Sequence, residues 1–438
     1  GDFTMIYYPR MDWKPEWGGG TLIDGQLVPY VGNRLVIFDA YLEHSNERIA
    51  TAALYCLARA AKNNYSLKQR YSLLDRISLA LKTIASDQKD LPYVASVIEI
   101  LGVANLPIFH NRLVAFLQHE NEEIVKTTIK AIGTATDLEM VQHIIPFLAE
   151  KAFRPTVLEA FNVYGQQILP ILKNHVAERR QPLSVLRFIP AAMQAFYSKE
   201  AVHQLLGILN HEDLTVRLEV VRALSAIRAT HPQLKFNKYK VVSVIFDECK
   251  LHHQTLSAMH TQIIISYRNR NKSKKEIGDA ERDARTSLLE LLERRLDSGL
   301  ERIFKLLGLR YQQKDVAIAY EGLLSQKQEA QHNAIEFLDN LLTGELKRRL
   351  LPIIEESALD ISSEEELQKI KHKIPTELEC FKLLLQGNDL KIKLAVLYLI
   401  AQQKEPRYLH IVAQYLDDPD PKIKSFAHIA HEAMNSDK

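Results

Sequence analysis

The stretch Phe116-Leu117-Gln118-His119-Glu120-Asn121-Glu122-Glu123-Ile124 reads as the end of one amphipathic helix, a tight polar turn and the start of another. Phe116 and Leu117 close an apolar pattern. Asn121 has the short polar side chain that caps a helix N-terminus, and two glutamates behind it complement the positive end of that helix. Ile124 then opens a new run with apolar residues at helical spacing.

The arrangement recurs along the chain. Leu42, Leu117, Leu209, Leu385 and Leu416 each stand just before a polar loop. Seven residues later come Ile49, Ile124, Val216, Ile392 and Ile423, and seven beyond those Cys56, Ala131, Ala223, Leu399 and Ala430. The last column is mostly small, as needed where neighbouring helices approach closely. Between the first two columns lie His44-Ser45-Asn46-Glu47, His119-Glu120-Asn121-Glu122, His211-Glu212-Asp213-Leu214 and Asp418-Pro419-Asp420-Pro421, all turn-forming and helix-capping sequences. A helix hairpin of this kind cannot bury its apolar face alone, whereas stacked hairpins share a continuous core. The fold class expected is therefore all-α, an α-solenoid of antiparallel helix pairs from Tyr41 onward. Degenerate copies are expected at residues 147–165, 186–197 and 323–342.

The first forty residues have another texture. Residues 3–8, 17–24 and 34–38 are rich in β-branched and aromatic side chains and read as strands. The domain plan is thus a β-rich fragment at 1–40, a first helical stack at 41–266, a basic linker at 267–278 and a second stack at 279–438. The chain opens on Gly1 inside strand-like sequence, so further residues upstream are expected.

With 56 Lys and Arg against 54 Asp and Glu, the net charge of +2 is too balanced for a general electrostatic grip on nucleic acid or an anionic membrane. Cys56, Cys249 and Cys380 are odd in number and far apart, which suits a reducing compartment, and each sits in an apolar helical pattern. No run approaches the roughly 18 apolar residues of a membrane span. A cytoplasmic location is expected.

The column spacing resembles HEAT and armadillo repeats. A narrower likeness lies in residues 300–309, followed by Ala319-Tyr320-Glu321-Gly322-Leu323 and by residues 333–340. These resemble the soluble HEAT arrays fused to bacterial transporters of the major-facilitator or nucleotide-translocase type. What the resemblance implies is a non-catalytic scaffold whose concave face holds a protein partner, or a cytoplasmic regulatory module associated with a membrane transporter.

Residues 3–8, Trp13 to Gly19 and residues 33–38 resemble the second half of the double-stranded β-helix of 2-oxoglutarate/Fe(II) dioxygenases of the prolyl-hydroxylase-like group. That likeness implies His44 as a remnant iron ligand, with Fe(II) and 2-oxoglutarate as cofactors. Such a site needs two histidines and one carboxylate. His44 also belongs to the turn column with His119 and His211, where no iron is required. The pairs His119-Glu120, His211-Glu212 and His431-Glu432 are similar to those of the HEAT-architecture di-iron hydroxylases, but two fall in turns and one inside a helix. Lastly, Arg268, Arg270, Lys272, Lys274 and Lys275 form the one dense basic run. It is either an anion or nucleic-acid patch or a solvated linker, and the sequence favours the linker over nucleic acid.

Overall fold

The computed structural model describes residues 20–23, 26–29, 39–86, 90–269, 277–357 and 374–435. Two compact units, Gly1–Ile171 and Leu172–Lys438, make up the chain. Helix dominates both.

In the first unit, β1 (Gly20–Ile23) pairs antiparallel with β2 (Gln26–Pro29), Leu22 opposite Leu27. The expected strands at 3–8 and 34–38 lie outside the described residues, and β2 was not foreseen because Gln-Leu-Val-Pro is too short to show a period. Among the described residues no strand follows Pro29. Helices α1 (Asp39–Leu42), α2 (Glu47–Ala61), α3 (Tyr65–Arg70), α4 (Leu73–Ser86) and α5 (Leu91–Ala104) come next. They are followed by α6 (His110–Ala115), α7 (Glu122–Ala135), α8 (Val141–Ile144) and α9 (Arg154–Tyr164).

The long helices α2, α5, α7 and α9 pack in a row, each against the next. The row is tight because small residues line it. A Cβ added at Gly102 of α5 would lie 2.5 Å from the Ala131 carbonyl oxygen of α7, and one at Gly133 would lie 2.8 Å from the Ala160 Cβ of α9. The Tyr164 hydroxyl is 2.9 Å from the carbonyl oxygens of both Ile132 and Asp137, tying α9 to the end of α7.

The chain passes to the second unit within α10 (Leu169–Ala177) and forms α11 (Leu183–Leu186), α12 (Ile189–Gln194), α13 (Lys199–Gly207) and α14 (Leu214–Thr230). Two helices of 32 residues each, α15 (Lys238–Asn269) and α16 (Asp279–Arg310), pack against each other. The shorter helices α17 (Gln313–Leu323), α18 (Gln328–Leu341) and α19 (Gly344–Ser357) come next. The unit ends with α20 (Glu377–Gln386), α21 (Leu390–Gln403), α22 (Leu409–Val412) and α23 (Pro421–Asn435). The neighbours run α12, α14, α16, α21, α23, with α16 serving both halves. Its first half puts Ala284, Leu288 and Leu292 into the core with Phe381, Val396 and Tyr408.

Local structure repeats in both units. Asn105, Thr136 and Lys404 end α5, α7 and α21 in the left-handed conformation. After each comes one 3-10 turn (Pro107–Phe109, Leu138–Met140, Pro406–Tyr408), a short α-helix, a second 3-10 turn and a long helix. The column residues fall where the spacing puts them: Leu117, Leu209, Leu385, Ile124, Val216, Ile392, Ala131, Ala223 and Ala430 are all buried. Ile49, Cys56 and Leu416 are half-buried.

The division between units departs from the domain plan. Sequence puts the break at 267–278, yet α15 and α16 on either side of it lie in one unit and share a core. Their apolar stripes, not the polar residues between them, decide the partition. The part of the basic run from Arg270 to Lys275 lies outside the described residues.

Candidate functional site

The turn chemistry settles where His44 points. Its Nδ1 accepts the backbone N–H of Asn46 at 2.9 Å, as His119 does for Asn121 at 3.0 Å and His211 for Asp213 at 3.1 Å. Asn46, Asn121 and Asp213 in turn accept N–H groups from the first turn of α2, α7 and α14. Asp389 and Asp420 cap α21 and α23 the same way, and Asp418 takes the place of the histidine by accepting from Asp420 N–H at 2.9 Å. His44 is exposed. Among the described residues no three His, Cys, Asp or Glu side chains are grouped so as to hold a metal ion. That covers the three His-Glu pairs as well, and Glu212 instead pairs with Arg179.

The chemistry that burial concentrates lies in the second unit. Glu248 on α15 is fully buried and bridges two arginines: Arg217 Nη1 of α14 donates at 2.7 Å and Arg302 Nε of α16 at 2.8 Å. Three helices are thereby held by one carboxylate. A charge in this position requires its partners, since a buried ion left unpaired costs several kcal/mol.

One turn along α15, His252 is 4% exposed. Ser357 Oγ donates to the Ile353 carbonyl at 2.7 Å, so it accepts from His252 Nε2–H at 3.1 Å. This fixes the tautomer: Nδ1 carries the lone pair, and it is buried without a partner. Burial first, and the Arg302 guanidinium second, push the imidazole down to about 4, so it is neutral at physiological pH.

His252 and Ser357 line a cavity of about 340 Å³ among α15, α16, α17 and α19. Its apolar walls include Leu256, Met259, Leu296, Leu300, Leu323 and Ile354. Glu293, Asp297 and Glu356 supply carboxylates, and no lysine or arginine lines it. Burial raises the Asp297 carboxyl above its ordinary range. The Ser357 hydroxyl gives its proton to the Ile353 carbonyl and not to His252. The Cys249 and Cys380 thiols are pushed up to about 12 by burial and are inert packing groups.

Arg268 is the one member of the basic run that is described with its side chain, and it is exposed at the end of α15. Sequence reasoning missed the Glu248 cluster and the cavity. The available signal was a glutamate and an arginine inside apolar stripes. The segment likened to transporter-fused arrays, residues 300–340, forms the end of α16, α17 and most of α18, and contributes Arg302, Leu300 and Leu323 to these features.

No known protein family matches the chain, and no curated protein does either. A solved structure described as that of an engineered protein aligns over 90% of this chain and 97% of its own, at 14% identity and a TM-score of 0.20. A likeness that low carries no argument.

Proposed function

We propose that the chain is a HEAT-like helical scaffold that holds a protein partner and performs no chemistry of its own. The observation that supports this reading is the fourfold use of one turn, a side-chain acceptor two residues before an Asn or Asp cap, at the start of long helices in both units. Repeats of one supersecondary unit exist to build extended surface, and such surfaces bind. The partner class implied by residues 300–340 is the cytoplasmic part of a membrane transporter. No helix among the described residues is long and apolar enough to cross a membrane.

Affinity purification from the native host, followed by reconstitution of the recovered pair from purified components, tests the reading. A defined complex with Kd of about 10 μM or tighter is expected. Absence of any such pair, or iron-dependent 2-oxoglutarate turnover by the purified chain that His44→Ala abolishes, would overturn it.

A further inference from the structure

We propose that the cavity among α15, α16, α17 and α19 receives a long basic side chain, lysine or arginine, presented by an extended segment of a protein partner. This rests on the scaffold reading and adds to it the chemistry of the partner.

Charge is the first argument. Glu293 and Asp297 stand four residues apart on α16 at the cavity edge, and neither forms an ion pair or hydrogen bond among the described residues. Two like charges at this spacing repel each other on a helix. Elsewhere on α16, glutamates are paired with arginines: Glu281 with Arg285, Glu290 with Arg294, Glu301 with Arg222. The two that face the cavity are left for a cation from outside. Asp297 is exposed at the cavity edge but partly desolvated there, which makes its uncompensated charge costlier and a visiting cation more welcome.

The walls supply the second argument. A metal ion or a small inorganic cation gains nothing from leucine and isoleucine, but the methylene stem of lysine or arginine does, with its charged head left at the polar edge. A volume of about 340 Å³ sits at the small end of ligand pockets and suits a side chain rather than a cofactor.

The inner wall gives the third. His252 cannot repel a cation because it is neutral, and its Nε2–H is already used by Ser357. Its Nδ1 lies against Gly299, on the Arg302 side of the ring, so the wall offers no free donor to an anion. A neutral wall behind a carboxylate edge disfavours phosphate and acidic peptides and favours a cation.

The test uses the full chain and blocked, fluorescein-labelled hexapeptides in which leucine alternates with arginine, glutamate or the neutral isostere citrulline. The arginine peptide is expected to bind in preference to the other two. The Glu293→Gln/Asp297→Asn double variant alters exposed carboxylates only, so folding is retained, and its affinity should fall roughly tenfold. Met259→Trp, which fills the cavity, should abolish binding at any salt concentration. Equal binding of the three peptides, wild-type affinity in the double variant, or no binding of the arginine peptide up to about 1 mM overturns the inference. Should that happen while the reconstituted partner still binds, the cavity assignment fails and the scaffold stands.

Discussion

The two units use the same turn and reach different interiors. The first is a row of helices of 11 to 15 residues whose spacing is set by Gly102 against Ala131 and Gly133 against Ala160. The second threads two 32-residue helices through its repeats and sinks a glutamate between two arginines at their crossing. The difference teaches that a repeat controls how helices begin, while the residues further along each helix decide what kind of core they build. Long helices outrun their neighbours' apolar faces, and polar groups fill the excess.

That contrast can be broken at Glu248. Glu248→Ala leaves Arg217 and Arg302 buried around no counter-charge and should cost about 3–5 kcal/mol, read by urea or thermal unfolding of the full chain. Loss confined to the second unit, seen by hydrogen exchange, would confirm that each interior stands on its own, and an even loss across both would refute it.

Acid should weaken the same unit next. The folded His252 imidazole sits at about 4 against an ordinary 6.5, so between these values the unfolded chain holds the extra proton. Stability is therefore fully present above about pH 6.5 and is lost as pH falls toward 4, by at most about 3 kcal/mol. The groups that face the ring are Arg302, Glu248 and His253. His252→Asn should flatten the unfolding profile across that window, and an unchanged slope would assign the loss elsewhere.

In the first unit the sensitive site is apolar. Gly102→Ala forces a Cβ into the Ala131 backbone and should cost about 1–3 kcal/mol by thermal unfolding, with α5 and α7 losing exchange protection first. The smallest expected effect is at the shared turn. Asn121→Ala removes the acceptor for Glu123 and Ile124 N–H and should cost about 1 kcal/mol, with Asp213→Ala costing about the same in the other unit. Unequal losses would show that the turn is not interchangeable between units.

What was legible in the sequence was local. Leu117, Ile124 and Ala131 announce themselves because helical period and capping chemistry act within a few residues of one another. The short helices α6, α8 and α22 were hidden, since a run of four to six residues has no period to detect. The boundary at Ile171 was hidden too. A polar run such as Asn269 to Lys275 looks like a break in the chain, but whether the flanking helices separate depends on stripes that meet in space. The candidate cavity escaped for the same reason: Leu256, Leu300 and Ile354 are ordinary core residues until the fold brings them together around His252.

The position of Glu248 also bears on how the second unit assembles in time. Its partners lie 31 residues before it and 54 after it. Until both have arrived, its carboxylate keeps its water, and the crossing of α14, α15 and α16 stays open. Packing in the first unit proceeds between successive helices and can spread from any point, which favours fast folding. Closure around Glu248 waits on two distant segments at once, so the crossing of α14, α15 and α16 is expected to form later than the contacts between successive helices.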